Sequence, residues 1–239
     1  MQVYVFKTVQ DVDTYVGQQI STFIQDNDAP VIGFATGSTP LGAYDYLIDS
    51  YQSGKTDFSK VRAFNLDEYV GIDRNHEQSY YTFMHENLFN GIDIKEENVH
   101  LPYGNTKEDC EAYERSMDNV TVDIQVLGIG SNGHIGFNEP GTSFDEETHI
   151  VTLKEGTRKD NARFFENDIN KVPTHAITMG IATIMKAKKI LLVATGANKA
   201  DAVSAMVDGP VSVDCPASVL QNHPDVVVIV DKAAASKLK

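Results

Sequence analysis

Cysteine and basic residues are scarce in this chain of 239 residues, and each shortage excludes a class of protein. The two cysteines, Cys110 and Cys215, form neither a CxxC pair nor a dense framework, which favours a reducing, cytoplasmic compartment without structural zinc. Lysine and arginine total 20 against 34 aspartates and glutamates, a net charge of −14. Because such a chain repels nucleic acids and anionic membranes, neither is an expected partner, and an anionic ligand needs a local positive site.

The sequence also lacks long apolar runs, linkers, repeats and low-complexity stretches. No stretch approaches the length of a membrane span, and residues 1–7 have the pattern of a strand instead of that of a signal peptide. The length is ample for a hydrophobic core. We therefore expect a soluble single domain over residues 1–239.

Short β-branched apolar runs alternate with amphipathic stretches, which is typical of βα units around a mainly parallel, buried sheet. Strands are predicted at 3–6, 31–35, 61–65, 123–129, 176–179, 190–194 and 226–230. Helices are predicted at about 12–25, 40–50, 79–88, 107–117, 181–187 and 199–206, with a short turn after Asp231. The polar, charged section 138–173 follows a strand end and breaks the alternation, so we predict a mobile lid there.

The segment after the second predicted strand has the pattern of an anion cradle. Gly37 permits close approach to the backbone, Ser38 and Thr39 suit a helix N-cap, and Pro40 suits the first helical position. Exposed amides at a helix start bind phosphate well, especially beside two hydroxyls. An ordinary helix cap is the alternative.

Two adjacent carboxylates, Asp67 and Glu68, follow the third predicted strand. The structural interpretation is that Asp67 caps the next turn and Glu68 is solvated. The functional one is a general base at the strand end, within reach of a proton on a carbon next to a carbonyl.

The glycine-rich loop at 128–140 is the densest cluster of chemically useful residues. Its GxGxxG match is rejected as a dinucleotide site, because Gly136 and Pro140 favour a continuing loop where a helix should open. His134 and Glu139 are left as an acid/base pair, with Asn132 placed to hold the imidazole tautomer.

Four basic residues stand out in this acidic chain. Lys199 lies near a helix start, where the helix dipole disfavours a cation, so a bound anion would explain it. Arg163 offers a bidentate fork for phosphate, whereas Arg158 and Lys159 fit ordinary surface charge as well. No metal site is predicted, since the near-match to HExxH at His85 ends in phenylalanine.

Several motifs in one order carry a family resemblance: GFATGSTP, FNLDEYVG, SYYTFMHENLF, GIGSNGHIGFNEP, NARFF and the stretch around Lys199. Together they closely resemble the glucosamine-6-phosphate deaminases over nearly the whole chain. The resemblance implies a three-layer αβα sandwich with a mainly parallel, Rossmann-like open sheet. It also implies conversion of glucosamine 6-phosphate and water to fructose 6-phosphate and ammonia, in amino sugar catabolism, without a cofactor.

The resemblance also implies a role for each site residue. Asp67 would move a proton between C2 and C1 of the sugar, and His134 would assist ring opening with Glu139 completing the relay. The residues that would hold the 6-phosphate are Gly37, Ser38, Thr39, Arg163 and Lys199.

The chain departs from the family pattern at two places. Many members carry aspartate where this chain has Asn132, whose amide oxygen can fix the imidazole tautomer but cannot neutralise an imidazolium. Members activated by N-acetylglucosamine 6-phosphate have a longer C-terminus and basic lid residues, where this chain has His149 and Val151. We therefore expect no such activation, and a monomer or small homo-oligomer.

Two other classes of protein share this architecture. A 6-phosphogluconolactonase would share the fold and the glycine-histidine loop, but its loop usually continues through Ser-Leu-Phe-Pro where this chain has Glu139. A sugar-phosphate sensor would need neither Asp67 nor Glu139 and normally carries a DNA-binding segment, which is not apparent before residue 31.

Overall fold

A seven-stranded, all-parallel sheet forms the centre of the protein, described over residues 1–239 in a computed structural model. Its strand order is β1-β10-β9-β6-β2-β3-β5. In chain order these strands are β1 (Gln2–Phe6), β2 (Val31–Phe34), β3 (Arg62–Asn65), β5 (Val99–His100), β6 (Ile124–Leu127), β9 (Lys189–Ala194) and β10 (Val226–Asp231). The predicted α/β architecture is confirmed, and β5, too short for a clear sequence signal, occupies one edge.

Helices flank this sheet because parallel strands require crossovers and bury both faces. They are α1 (Val9–Gln25), α2 (Leu41–Gln52), α3 (Tyr80–Asn87), α4 (Lys107–Ser116), α5 (Glu155–Asn161), α6 (Ile181–Ile184) and α7 (Ala200–Asp208). Strands β2, β6 and β10 are buried along their whole length, as crossover helices on both faces demand. Capping boxes at Thr8 and Thr106 fix the starts of α1 and α4.

A second sheet of three antiparallel strands lies beyond the carboxyl end of β3. It has the order β4-β8-β7 and comprises β4 (Asp67–Tyr69), β7 (His149–Thr152) and β8 (His175–Thr178). The prediction that 176–179 belongs with the parallel strands is wrong, because β8 pairs antiparallel with β4 and β7. Leu66 alone separates β3 from β4, and its carbonyl accepts from the Met179 amide at 2.6 Å.

The section predicted as a lid contains regular structure and its own small apolar core. It includes β7, α5 and a 3₁₀ turn at Ala162–Phe164. Leu153, Phe165 and Val172 pack there against Tyr69 and Phe137, apart from the main core. The sequence did not predict β7 and α5, because this small unit needs few apolar residues for its core and its composition is therefore mostly polar. Mobility of this section stays a prediction.

No helix is long and apolar enough to cross a membrane.

Candidate functional site

A cleft of about 860 Å³ opens where the carboxyl ends of the parallel strands meet the second sheet. This is the edge at which open α/β sheets bind ligands. Seven of the nine predicted site residues line the cleft: Gly37, Ser38, Thr39, Asp67, His134, Arg163 and Lys199. The other two, Asn132 and Glu139, do not line the cleft but are hydrogen-bonded to each other, and Glu139 lies near the His134 imidazole.

Asp67 is a buried carboxyl without an internal hydrogen-bond donor. It begins β4 opposite Thr178, is 6% exposed, and accepts no hydrogen bond from the chain. Burial, with a smaller contribution from the neighbouring Glu68 carboxylate, raises the pKa of Asp67 to about 8. A carboxyl that keeps its proton near neutrality and faces a cleft is suited to general acid/base chemistry.

Glu68 has a structural role instead. Its carboxylate accepts the backbone amides of Tyr69, Tyr80 and Tyr81 at 2.9–3.0 Å, which anchors the start of α3. The structural interpretation of this pair is therefore wrong for both members, because Asp67 caps nothing and Glu68 is only 1% exposed. The alternation of a strand places adjacent side chains on opposite faces, so one acid faces the cleft and the other faces α3.

The glycine-rich loop after β6 holds the His134 imidazole at the wall of the cleft. No helix begins after Gly133, as predicted, and a β-carbon at Gly130 would overlap the imidazole. Gly136, at φ +55°, brings the loop beside Asp67, since a β-carbon there would lie 3.6 Å from Asp67 Oδ2. Glycine is therefore required at both positions for packing or conformation.

His134 stands near Glu139 without a hydrogen bond to it. Burial lowers the pKa of the His134 imidazole; the Glu139 carboxylate opposes this shift and the Lys199 ammonium adds to it. The Nδ1 atom lies 3.8 Å from Glu139 Oε2 and is buried without a partner. The imidazole is therefore neutral, and its Nδ1 has no partner. A small shift of Nδ1 and Oε2 toward each other would bring them within hydrogen-bond distance.

Asn132 contacts Glu139 and the loop backbone, and not the imidazole. Its Nδ2 donates to Glu139 Oε2 at 2.7 Å, and its Oδ1 accepts from the His134 backbone amide at 3.2 Å. The expectation that Asn132 fixes the imidazole tautomer directly is therefore wrong. The amide oxygen is already occupied by the backbone, because the tight turn brings the His134 amide closer than its ring.

The loop between β2 and α2 presents free donors to the cleft. The amides of residues 37–39 and the hydroxyls of Ser38 and Thr39 make no hydrogen bond within the chain. The expectation that these hydroxyls cap the helix is wrong, since α2 begins at Leu41 with Pro40 in the N-cap position. Gly37 has a φ of +87°, which aims the loop at open space.

Two cations, Arg163 and Lys199, also line the cleft. Neither Arg163 nor Lys199 forms an ion pair with an internal carboxylate, and Arg163 lies over the Phe164 ring at 4.6 Å. Burial lowers the pKa of Lys199; Asp160 opposes this shift, and Arg163 adds to it. Free amides, hydroxyls and unpaired cations together form a site for a phosphate-sized anion.

Several cleft residues were not predicted from the sequence. Thr157 and Asn161, one turn apart on α5, donate to Glu139 Oε1 and to the Tyr69 hydroxyl. Tyr80 and Phe137 stack at the base of the cleft. The i, i+4 spacing of Thr157 and Asn161 marks one helix face, but only the fold shows that this face meets Glu139.

The chain matches known proteins of one family in both sequence and structure. The family described as glucosamine-6-phosphate isomerases/6-phosphogluconolactonase matches residues 6–229. A glucosamine-6-phosphate deaminase of Clostridium botulinum (strain Loch Maree / Type A3) is 54% identical over 212 residues, 87% of this chain and 86% of the relative. One of Thermoanaerobacter pseudethanolicus is 48% identical over 99% of this chain and 94% of its own.

Solved structures agree with the sequence relatives. A monomeric glucosamine-6-phosphate deaminase superposes with a TM-score of 0.96 at 42% identity, covering 99% of this chain and all of the other. A 6-phosphogluconolactonase from Trypanosoma brucei has a TM-score of 0.79 at 22% identity and shares the fold. The chain therefore belongs to the family of glucosamine-6-phosphate isomerases and 6-phosphogluconolactonases, within which its high-identity relatives are glucosamine-6-phosphate deaminases.

Proposed function

We propose that the chain converts glucosamine 6-phosphate and water to fructose 6-phosphate and ammonia. The observation that carries this proposal is the unpartnered, buried Asp67 carboxyl in the same cleft as a phosphate-sized cradle. The high identity to relatives named for this activity supports it. A lactonase needs no base for proton transfer between carbons, so the position of Asp67 favours the deaminase.

Substrate binding begins at the 6-phosphate. The free amides of residues 37–39 and the Ser38 and Thr39 hydroxyls donate to its oxygens, while Arg163 and Lys199 balance its charge. Since the chain carries a net charge of −14, this local excess of donors and cations is what makes an anionic substrate acceptable. The sugar then extends toward Asp67 and His134.

Ring opening uses the neutral His134 imidazole. It takes the proton of the C1 hydroxyl and returns a proton to the ring oxygen, which frees the C1 aldehyde. The imidazolium formed between these two transfers is stabilised by the Glu139 carboxylate, which lies 3.8 Å away before substrate binds. Burial keeps this imidazole uncharged beforehand, so it starts as a base.

Isomerisation and loss of the amine use Asp67. The ionised carboxylate removes the C2 proton while the substrate ammonium gives a proton to the C1 oxygen, which forms an enolamine. The protonated Asp67 then returns its proton to C1, which leaves a protonated imine at C2. Addition of water to this imine releases ammonia and leaves the C2 ketone of fructose 6-phosphate. No step requires a metal or a redox cofactor, because every bond change is a proton transfer, an addition or an elimination.

The remaining parts of the proposal concern the setting of the enzyme. We infer a cytoplasmic monomer or small homo-oligomer with one domain, a closing lid over about 138–173, and no activation by N-acetylglucosamine 6-phosphate. The solved relative described as monomeric supports a monomer. A clear leftward shift of the substrate curve on adding that sugar phosphate would contradict the last.

The test is ammonia release from glucosamine 6-phosphate by the purified protein, with 6-phosphogluconolactone as the competing substrate. We expect ammonia and fructose 6-phosphate in equal amounts, with turnover unaffected by a metal chelator. Lactone hydrolysis without ammonia release, or binding of either sugar phosphate without turnover, would overturn the proposal.

A further inference from the structure

The lid helix α5 contacts the acid/base pair through a single buried hydroxyl. Thr157 is 7% exposed, and its Oγ1 donates to Glu139 Oε1. The partner residue lies on the glycine-rich loop after β6, so this hydrogen bond joins the lid section to the loop that carries His134. No other side chain of α5 forms a hydrogen bond with Glu139.

The Glu139 carboxylate is held at both of its oxygens. Asn132 Nδ2 donates to Oε2 at 2.7 Å, and Thr157 donates to Oε1. With both oxygens engaged, Oε2 stops 3.8 Å from His134 Nδ1, beyond hydrogen-bond range, and Nδ1 has no partner. A carboxylate fixed by two donors can approach the imidazole only if one of them yields.

We propose that Thr157 is a positioning residue that sets the separation of Glu139 from His134, and thereby couples the place of the lid helix to the acid/base pair. Moving α5 changes the donor on Oε1 and lets the carboxylate turn toward Nδ1. This inference rests on the proposed function, because it assigns Thr157 a part in the same reaction.

The electrostatic surroundings determine what loss of this hydroxyl does. The charged groups that face the His134 ring are Glu139 on its own loop, Lys199 before α7, Asp160 on α5 and Lys154 before α5. Of these, only Glu139 is bonded to Thr157. A carboxylate released from Oε1 moves closer to Nδ1 and stabilises the imidazolium, so the pKa of His134 rises.

The first test measures the imidazole itself, by NMR titration of the His134 side chain, with the resonance assigned by its loss in His134→Gln. Thr157→Val keeps the shape of the side chain and removes the hydroxyl, and we expect it to raise the His134 pKa by about one unit. Thr157→Ser keeps the hydroxyl and should leave that pKa at the wild-type value.

A matched control separates this effect from a loosened lid. Asn161 donates to the Tyr69 hydroxyl at 2.9 Å one turn along α5, so Asn161→Ala removes a different hydrogen bond of the lid helix, one that does not involve Glu139. We expect Asn161→Ala to leave the His134 pKa unchanged. An equal rise in Asn161→Ala, or in Thr157→Ser, would overturn the proposal, as would an unchanged pKa in Thr157→Val.

Kinetics supply the second test. At pH 6.5 we expect Thr157→Val to lower kcat about two- to fivefold with little change in KM, and the loss to shrink as pH rises because it reflects protonated imidazole. In a Glu139→Gln background the same substitution should have no further effect. A loss independent of pH, or one that persists in that background, would contradict the proposal. The NMR test can be carried out even if the wild-type protein releases no ammonia. Failure of the proposed role of Thr157 can therefore be distinguished from failure of the proposed deaminase activity.

Discussion

The two sheets of the molecule differ in how strongly they are held and in what they carry. The parallel sheet lies in a core of 46 buried apolar residues, whereas the second sheet and the lid section share a core of only eight. Asp67 begins a strand of the small sheet, and Arg163 and Thr157 belong to the lid section, while residues 37–39, His134 and Lys199 follow strands of the large one. The cleft is therefore built partly from structure packed in the large core and partly from structure packed in the small one.

The largest predicted effect distinguishes two neighbouring acids at the junction of the sheets. Asp67→Asn should lower kcat about 10³-fold, because it removes the base while keeping the shape of the side chain. Glu68→Gln is the matched control, since Glu68 only accepts three backbone amides, and kcat should stay within about tenfold of wild type. Steady-state ammonia release measures both, and equal losses in the two variants would refute the distinction.

A second prediction compares the two cores with one kind of substitution. Leu192→Ala, in β9, should lower the global free energy of unfolding by about 3 kcal/mol. Leu153→Ala, in the small core, should open only the section around 149–176, seen as faster amide exchange there with a smaller change in the urea midpoint. Equal global losses would mean that both cores unfold as one unit.

The phosphate end of the cleft gives a third prediction. Lys199→Ala and Arg163→Ala should each raise KM for glucosamine 6-phosphate about 30-fold, the effect of one lost charge-assisted hydrogen bond of about 2 kcal/mol. Lys159→Ala, in the neighbouring helix α5, is the control, because Lys159 also lines the cleft but is paired with Glu155 and exposed. An increase in KM of similar size in that variant would indicate a general charge effect instead of a specific site.

The smallest predicted effect is on stability. Because the pKa of Asp67 is raised to about 8, the native state holds a proton that the unfolded state releases between pH 4 and 8, and wild-type stability falls over that window. Asp67→Asn removes this dependence, so its advantage in thermal unfolding should be absent near pH 4 and grow toward pH 8 by up to about 1.4 kcal/mol per pH unit. A constant difference across these pH values would refute the burial of this charge.

The large sheet was predictable because its signals are local. Buried parallel strands give unbroken apolar runs, as at 226–230, and four strand ends, those of 31–35, 61–65, 123–129 and 190–194, precede the candidate site segments. The small sheet was not, because β4 is three residues long and contains two acids, and β7 lies in a polar section. Its pairing with β8 depends on the tertiary fold, and so does the contact of Thr157 with Glu139.

The same contrast explains the errors at single residues. The spacing of Asn132 and His134 predicted that they would be close, and they are, but it could not show that the amide oxygen takes the backbone N–H instead of the ring. Residues 37–39 line the cleft as predicted, but as free hydrogen-bond donors and not as helix caps. Sequence patterns therefore identified residues that meet in one cleft, and only the geometry assigned their partners.

Cleavage of the C2–H bond of glucosamine 6-phosphate tests the central claim most directly, since this is the step assigned to Asp67. Followed by proton NMR across pH 6–9, the wild-type rate should rise about tenfold per pH unit and level off above pH 8, where Asp67 is ionised. Asp67→Asn should be about 10³-fold slower at the plateau. A variant that breaks this bond within about tenfold of the wild-type rate there would contradict the account.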